Sequence, residues 1–355
     1  MSENKAPDFV VLPLNHAYGV EENQDVDVIS FAIKQAFEKH KYHVNTMVMA
    51  SNVYDYQHVD IIHTSKHLLF AKDEEVLKES TSLKTRVVET LGVPSNISWM
   101  CIRTLAHQPE VEKALDKYRK VSDNKLIQNK ENTNEKTEVK KNVLFSLGGI
   151  TDNGAIGFDL KDAENLFKSA LKLKTKGYNV IFTNSPRTPS DVTDYLYEKC
   201  KLFHMEFFNS KKIAQTKEEE KNFRNYNGKY KKEFDEQAKS VGNIYPAVLD
   251  VCEFVVNTHD SFSYTSDAAA LGIPSVVYTR SFIDEERRPD CYKLFDLCHK
   301  EGHVISLDEA LKKIDKGESL KTKKMDDVST QLVKAMTKFL SNVREQSNTT
   351  SKIKD

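Results

Sequence analysis

Apolar positions along the chain follow two alternating rhythms. Phe9-Val10-Val11-Leu12, closed by Pro13, is a short continuous apolar run of the kind a buried parallel strand shows. From Gln24 to Lys39 the apolar residues Val28, Ile29, Ala32, Ile33, Ala36 and Phe37 recur at helical spacing. Val44–Met49 and Val59–Ile62 read as further strands, and strands separated by helices of this length predict βαβ units and a parallel sheet. The stretch Asn96–Leu105 reads equally as strand or helix. Over 121–141 the pattern stops: Lys, Glu, Asn and Thr dominate and almost nothing could be buried, the composition of a linker.

The alternation then resumes. Strands are predicted at Asn142–Leu147, Asn179–Thr183, Phe254–Thr258 and Ser275–Thr279, and helices at Lys161–Lys174, Asp191–Leu202, Thr265–Leu271, Leu307–Ile314 and Val328–Asn342. Lys217–Ser240 is densely charged, with Phe223, Tyr226, Tyr230 and Phe234 three or four apart. It predicts a surface helical hairpin interrupted at Asn227-Gly228 rather than a nucleic-acid patch. The expected organisation is therefore an N-terminal Rossmann-like domain over 1–120, a charged linker over 121–141 and a nucleotide-binding Rossmann-like domain over 142–342. A tail over 343–355 is expected to be disordered.

Composition narrows the function classes. A chain of 355 residues suits two domains, because single cores rarely grow past about 250–300 residues. With 39% hydrophobic and 30% charged residues it can pack cores, and no apolar run approaches the ~20 residues a membrane span needs. A net charge of −1 gives no global attraction to nucleic acid or anionic lipid. The polar start Met1–Pro7 lacks the apolar centre of a signal peptide, so a cytoplasmic protein is expected; peripheral attachment to a membrane stays open, though no basic amphipathic helix demands it. The five cysteines form no CxxC pair and read as reduced structural thiols. Cys291, Cys298 and His299 do not make up a zinc set, and no metal is expected.

Three strand ends carry candidate chemistry. Gly148-Gly149 directly follows a predicted strand, where glycines let backbone amides approach a phosphate; a plain tight turn would look the same. Ser185-Pro186-Arg187-Thr188-Pro189 follows another, and two prolines shape a loop around a guanidinium whose fork suits phosphate. The third runs from Asn257 to Pro274: a strand, a hydroxyl-rich loop, a helix of small residues, then Gly272 and Pro274. There Ser261, Ser263 and the first amides of the helix could hold a diphosphate, while Asp267 could accept hydrogen bonds from ribose hydroxyls. Ser263 or Thr265 could equally serve only as a helix cap.

Asp260, Ser261, Ser263, Ser266, Asp267, Ala268, Gly272 and Pro274, together with Gly148-Gly149 and Ser185…Arg187-Thr188-Pro189, resemble the mitochondrial-fission family first described in plants, which has many bacterial members. Gly19–Gln24 is similar to a Gly-x-Glu-Asn-Gln element near that family's N-terminus, one residue longer here. The C-terminal resemblance covers Val143–Val277. The same strand, loop and helix resemble the nucleotide-sugar half of the bacterial transferase that adds N-acetylglucosamine to the lipid-linked peptidoglycan precursor. In that enzyme a Glu at the position of Asp267 contacts ribose; Asp is one methylene shorter, and a Ser-Met pair stands here as Ser263-Tyr264.

The resemblance implies an α/β, GT-B-like fold, with two Rossmann-like domains whose parallel sheets face a cleft, and a nucleoside diphosphate sugar as co-substrate without a further cofactor. The leaving diphosphate would lie on Gly148, Gly149, Arg187, Ser261 and Ser263. His16, in the loop after the first strand, would be the base that deprotonates an acceptor, with Glu21 second; an ordinary polar loop histidine is the competing account of His16. The acceptor could be lipid-linked. Two other classes carry the same features: a nucleotide-sugar epimerase, which needs no acceptor, and a non-catalytic interaction protein whose partner contacts run through 217–240.

Overall fold

The computed structural model describes residues 9–13, 23–49, 57–69, 75, 87–95, 97–119, 141–151, 153–279 and 282–351. The chain forms two compact units, one made of Met1–Pro94 with Asp326–Asp355 and one of Ser95–Met325.

The smaller unit is built on four parallel strands, β1 (Phe9–Pro13), β2 (Asn45–Met49), β3 (Ile61–Ser65) and β4 (Val87–Thr90), adjacent in that order. The helix Asn23–Glu38 lies between β1 and β2 in the chain, as the apolar spacing predicts. β4 went unread in the sequence because only Val87 and Val88 of its four residues are apolar. Its core joins Met47 and Ile61 to Val328 and Leu332, with Phe9, Val88, Met336 and Phe339 packed around them. Gln331 also exchanges two hydrogen bonds with the backbone of Leu91, each 3.1 Å. The C-terminal helix Val328–Ser351 therefore completes the N-terminal unit, which corrects its placement in a 142–342 domain. It runs on through Ser351, so the tail expected to be disordered from 343 is helical over most of its length.

The larger unit holds six parallel strands: β5 (Lys141–Ser146), β6 (Tyr178–Thr183), β7 (Glu206–Phe208), β8 (Phe254–Thr258), β9 (Ser275–Tyr278) and β10 (Val304–Ser306). Their order across the sheet is β10-β9-β8-β5-β6-β7. Most positions of β5, β6, β8 and β9 are buried, so both faces of the sheet are covered and the strands read as continuous apolar runs. One face packs on the helix Leu160–Thr175 through Leu166, Phe167, Ala170 and Leu173, a stripe at helical spacing started by the Asp159–Asp162 capping box. The other face packs on Ile102, Ala106, Val111 and Leu115. Those residues lie on the helices Trp99–Ala106 and Pro109–Leu115, so the second unit begins at Ser95, well before the linker expected at 121–141. Residues 120–140 lie outside the described ones.

The segment 217–240 is a second correction. It contains the helices Lys217–Glu220 and Lys231–Val241, but Tyr226 and Phe234 are fully buried. Phe234 packs its ring against Tyr197, Phe207 and Tyr226 at centroid distances of 4.7, 5.8 and 4.9 Å. The charge of this stretch is a coat over an aromatic wedge that belongs to the core. Among the described residues no helix is long and apolar enough to cross a membrane.

Candidate functional site

In the six-stranded sheet the chain moves from β5 through β6 to β7 on one side, then returns to place β8, β9 and β10 on the other. The direction of progress reverses between β5 and β8, the arrangement of a doubly wound α/β sheet. A crevice opens outside the carboxyl ends of the two strands at such a reversal. The loops leaving β5 and β8 carry Gly148-Gly149 and Asp260-Ser261, and the loop leaving β6, next door, carries Arg187.

Hydrogen bonds tie these three loops together. The Gly148 amide donates to Thr258 Oγ1 at 2.7 Å, and that hydroxyl pairs with the Ser261 hydroxyl at 2.9 Å. The Gly149 amide donates to Asp260 Oδ2 at 3.1 Å, and Arg187 Nη2 reaches the same oxygen at 2.5 Å and the Asp260 carbonyl at 3.2 Å. The Asp260 side chain is only 1% exposed, against 26% for Arg187. Side chains at the two glycines would have no room: a Cβ at Gly148 would stand 2.2 Å from Asp260 Oδ2, and one at Gly149 2.0 Å from the Arg187 carbonyl. Both glycines are thus required by close approach within the protein, and the oxygen they and Arg187 surround is that of Asp260.

The Arg187 loop is held from beneath. Thr188 Oγ1 donates to the Gly148 carbonyl at 2.5 Å and accepts the Ser185 amide at 2.9 Å, and Ser185 Oγ donates to the Gly148 carbonyl at 3.2 Å. Lys211, just beyond β7 and buried, donates Nζ to the carbonyls of Thr188 at 2.7 Å and Phe223 at 2.8 Å. Burial pushes its pKa down to about 8. Nothing in Asn209-Ser210-Lys211-Lys212 distinguishes this lysine from a solvated one, so it went unread in the sequence.

A family model described as "Mitochondrial fission ELM1" matches residues 28–334. The chain belongs to the mitochondrial fission ELM1 family. Among solved structures it is similar to the UDP-GlcNAc 2-epimerase of Methanocaldococcus jannaschii in complex with UDP-GlcNAc and UDP, at 11% identity over 93% of this chain and 76% of that one, with a TM-score of 0.44. It is also similar to the glycosyltransferase SsfS6 of Streptomyces sp. SF2575 complexed with thymidine diphosphate, at 8% identity over 87% and 60% and a TM-score of 0.32. A glycosyltransferase from Rickettsia africae ESF-5 matches at 10% identity over 97% of each chain, with a TM-score of 0.34. No curated protein matches the chain.

In this ELM1-family protein Gly148, Gly149, Arg187 and Ser261 come together in one network, and Ser263 and Asp267 stand outside its bonds. Ser263 is exposed in the first turn of the helix Phe262–Leu271, whose N-cap Ser261 makes no side-chain capping bond. Asp267 lies deeper in the same helix and is 4% exposed, turned into the unit rather than toward solvent. Burial raises its pKa to about 6, with the Ser95 and Tyr245 hydroxyls pulling the other way. Neither Asp267 Oδ1 nor the Tyr245 hydroxyl reaches hydrogen-bond geometry. His16 and Glu21 lie outside the described residues, as does most of the Gly19–Gln24 element. Cys291 and Cys298 are buried free thiols with pKa values pushed up to about 12, and His299 pairs with Glu309 at 3.1 Å. Among the described residues no group of three or more His, Cys, Asp or Glu could hold a metal ion.

Proposed function

We propose that the unit Ser95–Met325 binds a nucleoside diphosphate sugar outside the carboxyl ends of β5 and β8, and that the protein transfers the sugar to an acceptor as a glycosyltransferase-like member of the ELM1 family. The observation that carries this reading is the reversal of strand order between β5 and β8, with three loops knitted together at that point. Arg187 spends Nη2 on Asp260; its Nη1 and Nε have no partner among the described residues and lie on a side chain that solvent reaches. Those donors and the first turn at Ser263 supply the cationic and amide groups a diphosphate needs. In the same reading His16 is the base that activates the acceptor, Glu21 is the second candidate, and Asp267 is a ribose acceptor only if its side chain turns out of the protein.

Calorimetric titration with UDP, and with a UDP-sugar, tests the reading. Arg187→Ala should weaken binding at least tenfold, about 1.4 kcal/mol. Equal affinity for the variant and the parent would remove Arg187 from the site, and no binding of any nucleoside diphosphate by the parent would end the reading.

One observation favours a non-catalytic interaction protein as the second reading. The Asp260 carboxylate already sits among the Gly149 amide and the Arg187 guanidinium, so part of the anion-binding capacity is met internally. That reading predicts no nucleotide binding and places partner contacts on the charged outer side of 217–240, where Lys212 pairs with Glu219 and Lys231 with Glu220.

A further inference from the structure

Resting on the reading that the crevice at β5 and β8 receives an anionic ligand, we propose that Asp260 decides which anion that crevice admits, its own carboxylate standing in the inner seat that a phosphate oxygen would otherwise take. The seat has the features of an oxyanion position, and three of them meet on one atom. The Gly149 amide donates to Oδ2, Arg187 Nη2 donates to Oδ2, and Gly148 leaves the clearance that Oδ2 fills, since a Cβ there would stand 2.2 Å away. An amide, a guanidinium and a glycine gap are what a protein places around a phosphate oxygen; here they surround a carboxylate that is itself buried.

The electrostatic consequence is local neutralisation. Asp260 cancels the charge of Arg187 at the contact and occupies the Gly149 donor, so the inner seat offers an incoming anion neither net positive charge nor an open N–H. Lys211, just beyond β7 and buried, donates to the Thr188 carbonyl and so holds the Arg187 loop from beneath. Without the Asp260 carboxylate, Arg187 and the Gly149 amide would together make an anion-seeking position. With it, a ligand's phosphates are confined to the rim, at Arg187 Nη1 and Nε and the first turn at Ser263. That arrangement disfavours a small, highly charged anion seeking the inner seat. It admits a diphosphate esterified at both ends, which can lie along the rim without entering.

The test is titration calorimetry with inorganic pyrophosphate at fixed pH and ionic strength on the full chain, on Asp260→Asn and on Asp260→Ala. Both variants should bind pyrophosphate at least tenfold more tightly than the parent, and adding Arg187→Ala to Asp260→Ala should erase the gain. Unchanged or weaker binding by a cooperatively folded Asp260→Asn protein overturns the proposal, since Asp260 would then merely aim Arg187. Loss of cooperative unfolding in both variants also overturns it, by making Asp260 a structural residue. Titrating a UDP-sugar into the same samples separates the two ideas. A parent that ignores the UDP-sugar beside an Asn variant that gains pyrophosphate sinks the nucleotide-sugar reading alone. A parent that binds the UDP-sugar beside an Asn variant that gains nothing sinks this one alone.

Discussion

Asp267 is a carboxyl group in an unfavourable place, and its chemistry at the residue scale can be read from stability as well as from binding. Its folded pKa of about 6 lies above the ordinary 3.8, with burial the largest cause. Between those values the folded protein holds a proton that the unfolded chain has released. The stability tied to the neutral form is therefore complete below about pH 4 and lost as pH rises through about 6. At pH 7 the full penalty applies, of roughly 2–3 kcal/mol at 1.36 kcal/mol per pKa unit. Asp267→Asn should raise stability at pH 7 by about that amount in chemical denaturation, and the gain should vanish near pH 4. A variant no more stable than the parent at pH 7 would mean that the carboxylate finds compensation in solution, as it would if it turned outward to meet a ribose.

At the scale of elements, the charged segment 217–240 shows how composition and burial can part company. Its acidic and basic side chains pair with one another at the surface, while Tyr226 and Phe234 enter the core beneath them and the Tyr226 hydroxyl donates to Asp194. Phe234→Ala should cost about 3–5 kcal/mol, the range for emptying an aromatic site in a packed core. Thermal unfolding checks this: a change within about 0.5 kcal/mol, as expected of surface substitutions, would return the segment to the surface hairpin that its charge pattern predicts. Deleting 217–240 is for the same reason a poor test of partner binding, because it removes core residues along with any contact surface. Charge reversal at Lys217, Glu218 and Lys221, exposed and away from the wedge, isolates the partner question.

For the whole molecule, the decisive feature is that the smaller unit is closed by a helix from the other end of the chain. Val328 and Leu332, with Met336 and Phe339, cover Met47, Ile61 and Val88, and Gln331 pairs with the Leu91 backbone. A chain ending at Met325 should lose cooperative folding of the smaller unit, while β5–β10 keep their protection in hydrogen exchange. Protection of β2 and β3 that survives this truncation would show that the C-terminal helix is an accessory rather than a wall of that core.

How much could be read in advance differs between levels for physical reasons. The strands β2, β5, β6, β8 and β9 and the helices Asn23–Glu38, Leu160–Thr175 and Ser190–Leu202 were legible because each carries a full period of apolar residues. The three-residue strands β7 and β10 were not, since three residues show no period. Gly148-Gly149, Arg187 and Ser261 stood out because glycine pairs and a proline-framed arginine at strand ends imply close backbone approach and fixed charge. That inference needs no partner to be known. What the glycines approach was beyond the sequence by itself: Asp260 lies more than a hundred residues away, and only the pairing of β5 with β8 brings its carboxylate to Gly149. Local periodicity therefore determined the α/β class and the kind of residue at each strand end. The strand order, the return of the C-terminal helix and the occupant of the inner seat depend on long-range contacts, which no local pattern encodes.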